Sequence, residues 1–597
     1  MITPKRSTFG HIPRRDGRSQ SPKYARQQRN IILKMIAITV TFILALKYIL
    51  YDTDPLSARL SHGPAKAMYE SVRYTTVTDG ASCDDSATGD DPVADVNQVG
   101  AMAVKHPKSK PSPSNRDFKV ALHRVFDLLP NKQVIKHLLS PIQGNGEARL
   151  RETGIRAKAF RSYFDAWEKL HLVIGDNKEA YFRNDVIQDL LQNTPNKNIA
   201  YSIHTYEQFR IFLEDFAAFL FPYIIPDVAT GDSTGLEAQM GLHAKVYKGG
   251  RGIVLSAGNR QAPFLLTSIP SLRRLGCELP IEIMYLGDGD LSPENRAKLE
   301  QLGGVVTRDV KVKDEGWKLG GWAVKPFAIL LSSFREVIFI DADSLFFKNP
   351  EVLFEEDAYK RTGALFFRDR VLFPEDKRGW LQEILPEPIS KSVKESRFWT
   401  GISGHMQESG VVVVDKWRHF VSMLMVTRMN GPDRDGDKSK GIKGIYDMVY
   451  GDKETFWLGW ELVGDLDYAF HQGDVGVLGQ PSNSKNSGSG SQQQHEICAP
   501  QLLHLDLEGK PLWFNGWILV NKFEEDVTKR KANVFTHYLR ENPNPVYEPN
   551  VPHQWQLKEN NNACLSAGKS YAFTEAEKGT LDSIMKDAEV VGAYKKK

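Results

Sequence analysis

Cysteine is scarce: Cys83, Cys277, Cys498 and Cys564 are the four in 597 residues. None stands at zinc-ligand spacing, so no structural zinc site is expected. The length rules out a small scaffold held mainly by disulfides. No Asn-x-Ser/Thr sequon with a permitted middle residue occurs, and only Asn562-Ala563-Cys564 offers the rare cysteine variant. No internal repeat is found. Net charge is also low, at +3, and unevenly spread. Residues 1–30 carry eight Lys and Arg against Asp16 alone, or +7, which leaves −4 for the rest. A nucleic-acid binder presents its basic face on the folded part, so no nucleic-acid partner is expected. One long hydrophobic run exists, near the start.

That run is Ile31–Leu50, apolar apart from Lys34 and Lys47 near its ends and two threonines. About 20 residues at ~1.5 Å per residue span a bilayer core, and the two lysines can snorkel to the interface. Tyr48-Ile49-Leu50-Tyr51 is a poor cleavage site, which favours a retained signal anchor over a removed leader. The positive-inside rule then sets a single-pass type II topology: a cytosolic basic tail at 1–30, an anchor at 31–50, and everything beyond on the lumenal side. Residues 51–115 are rich in Asp, Ser, Thr, Pro, Gly and Lys and read as a disordered stalk. All four cysteines are lumenal in this topology. Disulfides are permitted there, but four cysteines allow three complete pairings and the sequence does not choose.

What is present is ordinary globular material, 41% hydrophobic and 25% charged. Residues 116–235 read as a helical subdomain, because Ala157–Ile174 and Ile203–Phe221 repeat apolar and aromatic residues at spacings of three and four. From there the chain alternates. Gly252–Ala257, Ile281–Leu286, Val305–Thr307 and Val337–Ile340 are predicted strands. Gln261–Leu275, Ser292–Leu302 and Pro326–Phe334 are predicted helices. Such alternation argues an α/β fold with a parallel, Rossmann-type sheet. Ala364–Phe367, Gly410–Val414 and Leu502–Leu507 look like further strands, and Trp417–Met429 like a helix. A catalytic domain is placed at 236–545, interrupted by a flexible Ser/Asn/Gln-rich loop at 481–494. Residues 546–597 read as a polar, peripheral tail.

The apolar run Val337–Ile340 ends in Asp341-Ala342-Asp343. In open α/β sheets ligands lie beyond the carboxyl ends of strands. Two carboxylates with one small spacer there suit a hard divalent cation, which in turn can hold a diphosphate. Alone the pattern is common; its company is not. Lys325-Pro326-Phe327-Ala328-Ile329-Leu330, Ile340-Asp341-Ala342-Asp343, Thr362-Gly363-Ala364-Leu365-Phe366, Glu408-Ser409-Gly410, Asp452-Lys453-Glu454-Thr455-Phe456-Trp457 and Gly509-Lys510-Pro511-Leu512-Trp513 occur in this order. Together they resemble the fungal Golgi α-1,3-mannosyltransferase family over about 240–540.

The resemblance implies a Golgi membrane enzyme with a GT-A-like fold. It implies transfer of mannose from GDP-mannose, with Mn2+, to a mannose of a glycan or glycoprotein acceptor in protein glycosylation, with retention. Association with other Golgi glycosyltransferases is part of the expectation. In that frame Asp343 is a metal ligand, and Asp341 either a second ligand or a contact to the ribose. His504, in Leu503-His504-Leu505-Asp506, is similar to the late histidine that completes the metal shell in many such enzymes, or else is a half-buried strand histidine. Lys510 and Lys325 are candidate phosphate contacts, or else surface lysines. Ser256-Ala257-Gly258 is a loop whose small residues let backbone amides approach a nucleotide, or simply a turn. Retention needs an acid near the anomeric carbon; Glu454 and Asp452 are the first candidates and Glu408 the next. Trp457, Trp460, Trp513 and Trp517 are core residues or sugar platforms. Two alternatives remain from the residues alone: the same fold using a UDP-sugar, or a non-catalytic glycan-binding subunit.

Overall fold

A computed structural model describes residues 115–175, 180–225, 235–483, 495–542, 554–558 and 562–594. The expected basic tail and anchor, the stalk apart from Asn115, and residues 484–494 of the expected loop lie outside the described residues. Among the described residues no helix is long and apolar enough to cross a membrane.

The amino-terminal region is helical: α1 (Asn115–Leu128), α2 (Lys132–Leu138), α3 (Gly146–His171), a short hairpin of β1 (Leu172–Ile174) and β2 (Ala180–Phe182), α4 (Val186–Asn193), α5 (Asn196–Leu220) and α6 (Gly235–Val246). Helix α2 starts at Asn131, whose side chain accepts the Val134 N–H at 3.0 Å. Spacings of three and four line up Ala157, Phe160, Phe164 and Trp167 on α3 and Phe209, Phe212 and Phe216 on α5. These rings interlock, Phe160 against Phe216 at 5.8 Å between centroids.

The next stretch builds a seven-stranded sheet. Its members in chain order are β3 (Arg251–Ser256), β4 (Ile281–Tyr285), β5 (Val305–Asp309), β6 (Glu336–Ile340), then, after the two-residue β7 (Leu345–Phe346), β8 (Ala364–Arg368), β9 (Gln407–Asp415) and β10 (Ala469–Phe470). The spatial order is β10-β8-β9-β6-β3-β4-β5. The first helices of the unit are α7 (Ala262–Arg274), α8 (Pro293–Glu300) and α9 (Val324–Leu331); α11 and α12 below follow α10 (Asp357–Thr362). Strands β5, β4, β3 and β6 are mutually parallel, as the alternation predicted, but β9 runs antiparallel between β6 and β8. An apolar run records that a strand is buried, not which way it points.

Both faces of this sheet are covered, so its strands are near-continuous apolar runs. Val254, Val337, Phe339, Val412 and Val414 face a core shared with α9, α11 (Phe420–Asn430), α12 (Thr455–Leu462) and the aromatic residues of α3 and α5. Ile253, Leu255, Ile338, Ile340, Val411 and Val413 face α7 through Leu265, Ile269 and Leu272. The helical region is therefore one covering layer of the sheet. Tyr223, just after α5, donates its hydroxyl to the Leu424 carbonyl on α11 at 3.0 Å.

A six-stranded antiparallel sheet in the order β19-β16-β11-β14-β15-β7 uses β11 (Val475–Gly479), β14 (Leu502–Leu505), β15 (Pro511–Asn515), β16 (His537–Arg540) and β19 (Tyr571–Ala572). It is joined to the first sheet through β7, which follows Asp341-Ala342-Asp343 directly and pairs Phe346 with Trp513 and Leu345 with Phe514. A four-stranded sheet, β12-β13-β18-β17, comprises β12 (Ser482–Asn483), β13 (His495–Ala499), β17 (Trp555–Leu557) and β18 (Ala563–Ala567). Cys498 and Cys564 face each other across β13 and β18 and form a disulfide, while Cys277 is a buried free thiol. The carboxyl-terminal stretch expected to be peripheral is not: it supplies β17, β18, β19 and α13 (Glu575–Val590), which packs on α7. Leu565, Leu581 and Ile584 are buried there. Strands of two to five residues leave too short a pattern to read before pairing defines them.

Candidate active site

Strand order reverses at β3, with β4 and β5 on one side and β6 on the other, and a crevice opens beyond the carboxyl ends at such a switch point. A cavity of about 1270 Å³ lies there, lined among others by Ser256, Gly258, Lys325, Asp341, Asp343 and Lys522. Asp341 leaves β6 with its N–H donated to the Gly410 carbonyl at 2.8 Å. Its side chain keeps 26% exposure toward the cavity. Burial pushes its pKa up to about 7, with Lys325 pulling down and Asp343 pushing up. Asp343 accepts the Trp517 N–H on its backbone carbonyl at 2.8 Å, and its carboxylate pairs with the Lys522 ammonium. Burial works against the Lys522 charge, but Asp343 and Asp341 outweigh it and hold its pKa above the usual lysine value. Trp517, at φ 53°, is held in the left-handed region by that carbonyl contact and by stacking on Phe264 at 4.2 Å.

Lys325 lies in the first turn of α9 rather than ahead of it, and is almost wholly buried. Its ammonium reaches Asp341 and Asp452 at 3.1 Å each, and the Ser409 carbonyl and hydroxyl at 2.9 Å each. Those partners saturate its donors. It neutralises two carboxylates at the cavity floor and is not a free phosphate contact. Asp452 also accepts the Ser409 hydroxyl at 3.0 Å.

Glu408, on β9, lines the cavity and accepts Gly410 N–H at 2.8 Å and Asn515 Nδ2 at 2.9 Å. Burial, then Asp369, raises its pKa, against the pull of Lys453 and Lys325. Gly410 is closely surrounded: a Cβ there would come to 3.0 Å from both Glu408 Oε1 and Ser344 Oγ. Gly258 is equally constrained, since a Cβ would meet Asp290 Oδ1 at 2.4 Å.

Three expected residues stand elsewhere. Glu454 is fully buried behind the cavity wall, where it accepts Met406 N–H at 2.8 Å and Trp457 Nε1–H at 2.7 Å. Burial pushes its pKa up to about 7. It fastens the start of β9 to α12 and does not reach the cavity, so it is not the acid at the sugar. His504 is buried in β14, stacked on Trp513 at 4.0 Å and edge-on to Phe367, with burial holding its pKa well below the usual imidazole value. It does not line the cavity with Asp341 and Asp343. It shares a face of β14 with Leu502, which does line the cavity, but lies one pair farther along, opposite Trp513 in the aromatic layer. Lys510 is exposed in the tight turn closed by Asp506, whose carboxylate accepts its N–H at 2.8 Å, and it too is outside the cavity. Trp457, Trp460, Trp513 and Trp517 are all core.

The cation facing the paired acids is Lys522, in a loop after β15 that no local pattern marks. Asp369 and Lys453, paired at 2.5 Å, and His405 also line the cavity and were not singled out. Burial, then Lys453, lowers the His405 pKa to about 4. The donor set of two carboxylates fits a hard cation that takes its remaining oxygens from water and a diphosphate.

A cavity at the switch point of a Rossmann-type sheet, with paired acids facing two ammoniums, defines an α/β protein with a charged ligand site beyond its strand ends. Comparison narrows it. Residues 250–506 match the model of the family described as "Mannosyltransferase putative". The "Putative alpha-1,3-mannosyltransferase MNN14" of Candida albicans is 30% identical over 50% of this chain and 47% of its own. The alpha-1,3-mannosyltransferase MNT2 of Saccharomyces cerevisiae is 27% identical over 47% of this chain and 54% of its own. The solved structure of the mannosyltransferase Ktr4p from S. cerevisiae is 14% identical, covers 38% of this chain and 71% of that one, and superposes with a TM-score of 0.26. Through this region the chain is similar to fungal α-1,3-mannosyltransferases. It spans about half the length of the curated relatives it matches.

Proposed function

We propose that the protein transfers mannose from GDP-mannose to a mannose of a glycan acceptor, retaining configuration and forming an α-1,3 linkage, as a Golgi membrane enzyme of protein glycosylation. The observation that carries the reading is the placement of Asp341 and Asp343 beyond β6 at the switch point, facing Lys325 and Lys522 in one cavity. Asp343 and Asp341 are the residues that would hold Mn2+. When bound, that ion would neutralise charge on the diphosphate leaving group. Lys522 sits at the Asp343 carboxylate, where it can exchange that partner for a phosphate oxygen and add a second positive charge. Lys325 keeps Asp341 aligned. In the transfer the bond from the mannose anomeric carbon to the diphosphate breaks and one to the acceptor 3-oxygen forms. The acceptor proton passes to the departing phosphate. Glu408 and Asp452 are the acids left to stabilise the charge that develops on the sugar, since Glu454 is walled off.

The test is mannosyl transfer by the full chain in detergent, with GDP-mannose, Mn2+ and mannobiose, followed by linkage analysis. Asp343→Asn should lower kcat by roughly 10²–10³-fold. Transfer only from a UDP-sugar, or glycan binding with no turnover of any donor, would overturn the proposal.

A further inference from the structure

Trp322 is the only one of the eleven tryptophans that is exposed, at 59%, and its neighbour Tyr450 is equally exposed. Both line the catalytic cavity. They begin an unbroken aromatic tract: Trp322 to Tyr450 at 5.8 Å between ring centroids, Tyr450 to His405 at 5.8 Å, His405 to Phe373 at 5.7 Å. Phe373 is 54% exposed and stands at φ 52°, a conformation a bulky residue rarely holds without an opposing gain. The Trp322 ring is seated over Gly451, where a Cβ would come to 3.0 Å. Core packing does not explain three exposed rings, with half-buried His405 between two of them, along one wall of the cavity.

The wall begins beside the chemistry. Trp322 precedes Lys325 by three residues, and Tyr450 precedes Asp452 by two. Lys453 lies 5.1 Å from the Tyr450 ring centre and pairs with Asp369. Apolar faces are thus edged by charged groups. A pyranose ring matches that surface, with C–H bonds on its face for the aromatic rings and hydroxyls at its edge for the carboxylates and ammonium. The proposed function assigns the nucleotide and diphosphate to the loop after β3, the acids after β6 and Lys522, which leaves this wall for another part of the substrates.

We propose that Trp322, Tyr450 and Phe373 form the acceptor subsite, a stacking wall for an oligomannoside of at least two rings. The inference rests on the mannosyl-transfer reading for the identity of the sugar. It is tested with the full chain on mannose, α-mannobiose and α-mannotriose as acceptors. Wild type should prefer the longer acceptors. Trp322→Ala and Tyr450→Ala should each raise the acceptor KM by about tenfold with the GDP-mannose KM within about twofold, and Trp322→Phe should restore most of the affinity. Acceptor KM values unchanged in both alanine variants would overturn it, as would equal use of mono- and trisaccharide. A separate measurement uses no donor: saturation-transfer NMR of α-mannotriose, with wild type and Trp322→Ala. Binding lost in the variant supports the wall even if no transfer from GDP-mannose is found, which would sink the function reading alone. Absence of binding to wild type, or binding unaltered by the variant, overturns the wall even if transfer is found.

Discussion

Lys325 touches both Asp341 and Asp452 from a buried position, and a buried ion pair is costly to break from one side. Lys325→Met should destabilise the protein by about 3–5 kcal/mol, because two carboxylates lose their counter-ion. A melting temperature close to wild type would show that the cage is not needed for folding. Glu454 makes the opposite kind of prediction. Its folded pKa, about 7, lies above the ordinary 4.5 because burial disfavours the charge. The folded state therefore holds the proton more tightly than the unfolded state. The resulting stability is fully present below about pH 4.5 and is lost as pH rises through 7. Glu454→Gln removes this titration. The stability of wild type relative to the variant should thus fall by about 3 kcal/mol across that window, as read from paired denaturation curves. A flat difference would mean that the N–H groups of Met406 and Trp457 keep the carboxylate ionised.

At the scale of elements, the disulfide between β13 and β18 closes a separation of 66 residues. Cys564→Ser should cost about 4 kcal/mol by restoring freedom to the unfolded chain. The loss should be matched by reduction of the wild type and should not recur when the variant is reduced. The sequence did not choose among the cysteines, and only the juxtaposition of two short strands decides this bond. Other elements were easier to read. The strand β6 stood out because both its faces are buried, and the helix predicted from Ser292 does start there, with the Ser292 hydroxyl accepting the Asn295 N–H at 3.3 Å. The same local logic misplaced Glu454, His504 and Lys510, and it missed Lys522. His504 is on the strand face that meets the cavity at Leu502, but how far along that face the cavity reaches is decided by the pairing with β15. Glu454 precedes an aromatic helix, and proximity in sequence to Asp452 does not prevent the two carboxylates from pointing to different sides of a wall. Lys522 was invisible because its loop reaches the paired acids only after β15 has joined β7.

For the whole molecule, the cavity is where the two large sheets meet. The seven-stranded sheet supplies Ser256, Gly258, Asp341 and Asp343, and the six-stranded sheet supplies Asn515 and, beyond it, Lys522. A nucleotide diphosphate bound as proposed would contact both, so its binding energy should oppose their separation on unfolding. At a concentration of GDP about 100 times its Kd, with Mn2+ present, the gain is ~2.7 kcal/mol, and the melting temperature should rise accordingly. Chelation by EDTA should cancel the part that needs the cation, and Asp343→Asn should show little shift with either addition. Hydrogen exchange localises the effect: the amides of 516–530 should become protected together with those following β6, because Lys522 and Asp343 both turn toward the ligand. A shift that survives EDTA and leaves 516–530 unprotected would place GDP on the first sheet alone, and Lys522 would then be a counter-ion to Asp343 and nothing more.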